Sequence, residues 1–125
     1  MNYLLDTNTV GWLLQQKNFQ FSKKLKANDN IYISVITIVE FLSNSNLTES
    51  DKDLFEQFII HAEVLDILSS DMGLIKETIK LRKKYKLRLP DALIAAQAIT
   101  SNLILVTGDA DFAAIYQLKI ELVQK

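Results

Sequence analysis

Short apolar runs alternate with helix-length amphipathic stretches from one end of the sequence to the other, and this alternation limits the fold more than any other feature. Tyr3-Leu4-Leu5 has no polar face and reads as a strand buried on both sides. Ile31-Tyr32-Ile33, Val64-Leu65-Asp66-Ile67, Leu103-Ile104-Leu105-Val106 and the segment from Ile120 to Val123 read as further strands. Thr7 or Asn8 can cap a helix carrying Val10, Trp12, Leu13 and Leu14, and a second helix is expected from Ser22 towards Ala27. Ser34 caps a helix through Ile38, Val39, Phe41 and Leu42, and Ser43 to Asn46 form a turn. Thr48 then opens a helix with acids in its first turns, as a helix N-terminus prefers. A long helix follows from about Ser70 to Tyr85. An Ala-rich helix starts at Leu89-Pro90-Asp91 and runs through Ala98, and a short one is expected around Phe112 to Ile115. Strands and helices in this order pair as a parallel sheet covered by helices on both sides, the α/β class. With no repeat, linker or low-complexity tract, the 125 residues read as a single domain, 1–125, long enough to bury a core unaided.

The composition closes several kinds of chemistry. There is no cysteine, so a disulfide framework, a thiolate metal site and a cysteine nucleophile are all ruled out. The single histidine, His61, excludes schemes that need a histidine pair and reads as a helix-end residue without chemistry. Neither a basic leader nor an apolar run of membrane-spanning length is seen, so a cytoplasmic protein with no membrane partner is expected. The formal net charge of −1 gives no global attraction to nucleic acid; any such binding must come from a local patch.

In open parallel sheets, ligands bind outside the carboxyl ends of the strands, and several acids fall in that layer. Asp6 follows the first strand, and Glu40 lies about two turns into the helix after the second. Asp91 sits in the first turn of the Ala-rich helix, and Asp109 leaves the fourth strand with Asp111 two residues later. Taken singly, an acid at a strand exit is ordinarily a helix cap, and Asp111 reads as the cap of the last short helix. Glu40, flanked by Ile38, Val39, Phe41 and Leu42, reads equally as a site residue or as part of a solvated stripe. Gathered at one end of a sheet, however, carboxylates repel one another unless a cation neutralises them. The pattern therefore points to Mg²⁺ or Mn²⁺, hard ions that take oxygen ligands and suit phosphoryl chemistry.

Four stretches, "YLLDTN", "ISVITIVEF", "LRLPDALIAAQA" and "LVTGDADF", resemble in order and rough spacing the four acidic motifs of the PIN domain, in the form found in VapC-type toxin ribonucleases. The resemblance covers essentially the whole chain. It implies a three-layer α/β/α fold with a mostly parallel central sheet. It further implies a metal-dependent endoribonuclease, with Asp6, Glu40, Asp91 and Asp109 as metal ligands and catalytic acids, a metal-activated water as nucleophile, and products with 5′-phosphate and 3′-hydroxyl ends. Thr7, Asn8 and Thr107 match positions where small polar residues support the acids. Asp109 and Asp111 both remain open as the fourth acid, with Asp109 favoured because it is nearer the strand. The resemblance also implies a homodimer and a cognate antitoxin whose tail packs across apolar helices and offers an arginine to the acidic pocket.

An RNA substrate needs cations, and "KLRKKYKLR" supplies them in Lys80, Arg82, Lys83, Lys84, Lys86 and Arg88, on the approach to Asp91. The same residues also complement a helix dipole at its C-terminus. Lys17, Lys23, Lys24 and Lys26 form a second candidate rim. Tyr85 reads as a packing residue or a base-stacking one, and Trp12, Phe19, Phe21, Phe41, Phe55 and Phe58 read mostly as core, with some of them alternatively lining a groove between the first helices and the "DLFEQFIIH" helix. Three other readings compete with the toxin. One is a housekeeping PIN nuclease of RNA maturation, to which the short chain is less suited. Another is a PIN module without catalysis, against which the full set of acids argues. The last is a receiver-like phospho-accepting module, which would want paired acids after the first strand and a lysine after a late one.

Overall fold

The computed structural model describes residues 1–16 and 19–125, so Lys17 of the second candidate rim lies outside the described residues. Five strands, β1 (Asn2–Leu5), β2 (Asn30–Ser34), β3 (Glu63–Leu65), β4 (Ile104–Thr107) and β5 (Ile120–Leu122), form one sheet in the order β3-β2-β1-β4-β5, with every pairing parallel. β1 is central: Leu4 lies between Tyr32 and Leu105, and Leu5 between Ile33 and Val106. Because successive strand side chains point to opposite faces, Leu4 and Leu5, both fully buried, enter different core layers. The parallel sheet and its double cover agree with the α/β expectation.

On the Leu4 face lie α5 (Met72–Tyr85) and α6 (Leu89–Thr100), packed on one another through Leu74, Leu81 and the alanines of α6. Those alanines, Ala92, Ala95, Ala96 and Ala98, let α6 approach closely enough to bury most of its middle, from Ala92 to Ala98. On the Leu5 face lie α1 (Thr7–Gln15), α3 (Val35–Leu42) and α4 (Glu49–Ile60), with α2 (Gln20–Lys24) beside them. Phe41 and Phe55 stack there at 4.3 Å between centroids, and Tyr3 meets Phe21 edge-on at 5.1 Å. The aromatics expected in the core are buried, except that Trp12 and Phe58 are only half-buried. His61 takes the C-cap of α4, as a helix-end residue. Among the described residues, no helix is long and apolar enough to cross a membrane.

Several boundaries differ from the sequence reading, each for a local reason. α1 is capped by Asp6, not by Thr7 or Asn8: the Asp6 carboxylate accepts from Thr9 N, while Thr7 and Asn8 are already helical. Asp71, accepting from Leu74 N, caps α5 in the same way. α2 begins at Gln20 rather than Ser22. β3 stops at Leu65 because its only partner, β2, turns into α3 after Ser34, and Gln97 Nε2 takes over the Leu65 and Asp66 carbonyls at 3.4 Å each. The last short helix is a 3-10 turn over Ala110–Ala114, and its cap is Asp109; Asp111, expected as the cap, lies inside it and supplies the N–H that Asp109 accepts.

Candidate active site at the carboxyl edge of the sheet

The strand order reverses at β1, with β2 on one side and β4 on the other, so the segments leaving β1 and β4 part and open a crevice. Asp6 stands in it. Its backbone N–H donates to Val106 O at 3.1 Å, extending the register with β4 by one residue. Its side chain is half-buried and engaged at both oxygens: Oδ1 accepts from Thr9 N at 3.0 Å, and Oδ2 accepts from the Thr107 hydroxyl at 2.6 Å. Thr9 in turn donates its own hydroxyl to Val106 O at 3.0 Å. Asp6 is thus both helix cap and crevice carboxylate.

Thr107, fully buried at the end of β4, also accepts from Asp109 N at 3.1 Å. One hydroxyl therefore ties Asp6 to the loop that carries Asp109. Glu40 is fixed from a different direction: the Thr7 hydroxyl donates to its Oε1 at 2.6 Å and lies 3.4 Å from the Thr37 hydroxyl. Glu40 does not lie on a solvated stripe of α3. Glu40 is half-buried and turned to α1, while its neighbour Val39 is 59% exposed, the reverse of a helix with a solvated acidic stripe.

Asp91 enters through the first turn of α6, which Pro90 favours by its fixed φ and missing N–H. Arg88 Nε donates to Asp91 Oδ2 at 3.1 Å. Asp6, Glu40 and Asp91 face a common cleft of about 140 Å³, with Thr7, Asn8 and Arg88 around it. Asp109 and Asp111 do not line that cleft. They border an adjoining hollow of about 610 Å³, and the Asp91–Arg88 pair is the wall shared between the two.

Of the basic run, Lys86 and Arg88 line this second hollow together with Tyr85. Lys86 holds the left-handed C-cap of α5 at φ 54°. Arg82, Lys83 and Lys84 stand exposed on the last turn of that helix, where Arg82 Nε reaches Leu87 O at 3.4 Å and the Lys84 ammonium lies 5.4 Å from the Tyr85 ring centre. In the other candidate rim, Lys24 is engaged with Glu121, while Lys23 and Lys26 are exposed.

The three carboxylates facing the cleft offer oxygens, the ligands a hard dication takes, beside the Arg88 guanidinium. Among the described residues, no three acids lie close enough together to cage an ion as they stand. Sequence reading missed Thr9 and Thr37, since a threonine inside an apolar helix gives no signal of its bond partner. It also missed Gly108. A Cβ there would fall 2.5 Å from Trp12 Cη2, so the glycine lets the indole lie against the loop between Thr107 and Asp109.

The family model of the PIN domain matches residues 3–118. A comparison with curated proteins finds no match. Among solved structures, the chain is similar to VapBC2 from Rickettsia felis bound to a promoter DNA fragment, with TM-score 0.81 and 25% identity over 99% of this chain and 100% of that one. It is also similar to DNA-bound VapBC from Salmonella typhimurium, with TM-score 0.78 and 25% identity over 97% of each chain. A toxin–antitoxin complex from Klebsiella pneumoniae gives TM-score 0.74 and 26% identity over 93% of this chain and 94% of that one. The resemblance read from the four acidic stretches is borne out by these matches.

Proposed function

The chain belongs to the PIN-domain family, and from that premise we propose that it is a Mg²⁺- or Mn²⁺-dependent endoribonuclease acting as the toxin of a toxin–antitoxin pair. One observation carries the reading. Three carboxylates from distant parts of the chain, Asp6, Glu40 and Asp91, face one cleft at the point where the strand order reverses, and Thr107 ties Asp109 to the first of them.

Asp6, Glu40 and Asp91 would hold the ion, with Asp109 completing the set from the adjoining hollow. When bound, such an ion polarises a phosphoryl oxygen and lowers the pKa of a coordinated water. The chain's own part is orientation. Thr9 and Thr107 fix both oxygens of Asp6, and Thr7 fixes one oxygen of Glu40, so the free lone pairs of each carboxylate have a set direction. Lys86 and Arg88 supply phosphate contacts along the wider hollow, with Arg82, Lys83 and Lys84 extending the cationic rim beyond it. The Arg88–Asp91 pair supports inhibition by a cognate antitoxin, since it shows a guanidinium is a suitable partner for this carboxylate. A homodimer completes the proposal, and the mass in solution tests it.

The test is cleavage of RNA by the purified protein. Cutting is expected with Mn²⁺ or Mg²⁺, stops with EDTA, and is abolished in Asp91→Asn with an unchanged circular dichroism spectrum. A protein that leaves RNA intact with either metal would overturn the proposal.

A further inference from the structure

Beside the acid cleft lies another hollow, of about 290 Å³, walled by one stripe of α1, the end of α3 and the start of α4. Thr7, Asn8 and Glu40 line both, so an occupant of this hollow is the immediate neighbour of whatever the acids act on. Its lining has a chemistry of its own. Trp12 and Phe41 give aromatic surface, and Asn8, Gln15, Asn44 and Asn46 give amides. Among the described residues, its charged groups are two carboxylates, Glu40 and Asp51, with no lysine or arginine.

The hydrogen bonds already made decide what is left for a ligand. Gln15 Nε2 donates to Asp51 Oδ1 at 3.3 Å, which spends an amide proton within the wall and leaves the carbonyl oxygen out of that contact. Asp51 Oδ2 accepts from Thr48 N at 3.2 Å, yet each carboxylate oxygen has a second lone pair. Asn44 Oδ1 is held by Asn46 N at 3.0 Å. The amides of Asn8, Asn44 and Asn46 offer N–H groups and carbonyls alike, but Glu40 and Asp51 only accept, so the hollow repels a phosphate and its aromatic wall suits a flat heterocycle that brings N–H donors to the two carboxylates.

Gly11 adds an independent sign that the space is kept open. Glycine weakens a helix interior relative to alanine, and nothing here crowds a side chain: a Cβ at Gly11 meets only Phe41 Cε2, at 4.0 Å. No close helix contact requires the missing side chain, and Gly11 itself lines the hollow.

We infer that this hollow is a nucleobase subsite, taking a single-stranded RNA base that carries an exocyclic amino group (adenine, cytosine or guanine, in preference to uracil) next to the phosphate at the acids. The identity of the polymer rests on the ribonuclease reading above; the preference among bases rests on the lining alone. Trp12 is the only tryptophan of the chain, so the single indole N–H resonance in a nitrogen–proton correlation spectrum reports the hollow directly.

The experiment titrates the full chain, without metal, with AMP, CMP, GMP, UMP and ribose 5-phosphate. A saturable shift with at least one of the amino-bearing nucleotides is expected, at least tenfold weaker with UMP, absent with ribose 5-phosphate, and lost in Gly11→Leu, which fills the space. Gln15→Met, which removes the amide at similar size, is expected to narrow the difference between bases. Equal shifts with all five compounds overturn the inference, as does silence towards every nucleotide, which would leave the hollow to a protein side chain. Mapping of cut sites with Mn²⁺ separates the two readings. Cutting with the same base preference in wild type and Gly11→Leu overturns the subsite and leaves the nuclease standing. Nucleotide binding by a wild type that cuts no RNA overturns the nuclease and leaves the subsite.

Discussion

The hydroxyl of Thr107 donates to Asp6 Oδ2 and accepts from Asp109 N, so one buried side chain sets the positions of two acids. Thr107→Val keeps the shape and removes both bonds. Activity should fall by about 10- to 100-fold, and stability by about 1–3 kcal/mol because the Asp109 N–H loses its acceptor; RNA cleavage and chemical denaturation check the two separately. Asp6 combines two duties that substitutions pull apart. Asparagine caps a helix as well as aspartate does, so Asp6→Asn should abolish cleavage with little change in stability, whereas Asp6→Ala should also cost about 1 kcal/mol. Equal destabilisation by the two would mean that the carboxylate charge matters to the fold. At this scale the sequence was legible where charge marks a residue: Asp6, Glu40 and Asp91 were all picked out as carboxylates of the carboxyl edge, and all face the cleft. It was silent on Thr9 and Thr37, and on which atom Thr107 grips, because a hydroxyl's partner is fixed by tertiary approach and not by spacing.

At the level of single elements, α4 shows how local chemistry sets a boundary. Thr48 and Asp51 form a reciprocal capping box, and the Thr48 backbone N–H holds the Asp51 carboxyl below its ordinary value, with the Thr48 side chain adding to the effect. A carboxyl whose pKa is lowered by folding contributes stability above the unfolded value, about 3.9, and loses it as pH falls through the folded value. Thr48→Ala loses the side-chain cap but keeps the backbone N–H, so it should destabilise α4 at neutral pH while leaving most of the dependence of stability on pH below about 4 in place. Thermal melts between neutral and acid pH measure both. In α1, Gly11→Ala should raise stability by about 0.5–1 kcal/mol, since its Cβ meets nothing closer than 4.0 Å. The boundaries that the sequence misjudged share a cause. The cap of α1 went to Asp6, and β3 ended early, because each depends on a neighbour: β4 for Asp6, and the end of β2 for Leu65. The capping box needed only its own segment, and Thr48 was read correctly.

For the molecule as a whole, the proposed site would link folding to metal. A dication that binds only the folded cleft stabilises it by mass action, about 1.4 kcal/mol at tenfold over its dissociation constant. The melting temperature should rise steadily with Mn²⁺, and Asp91→Asn should blunt the rise; a flat response in the wild type would count against the proposed site. The layered α/β architecture was legible in the sequence, because alternating strands and helices leave few other arrangements. The order β3-β2-β1-β4-β5 was not, because it depends on which strands meet after long crossovers. Nor was the division of the acids between a cleft and an adjoining hollow, which follows from Asp109 being spent on the cap of the 3-10 turn.

The bond between Thr107 and Asp6 joins residues separated by 101 positions. Closing so wide a loop is slow compared with forming a local turn. On the ribosome, at about 5–20 residues per second, roughly 5–20 seconds pass between synthesis of the aspartate and synthesis of its threonine. A nascent chain that has not yet reached β4 carries Asp6 with no partner to aim it. In the nuclease proposed above, the aiming of Asp6 is therefore deferred by the topology itself until β4 has been made.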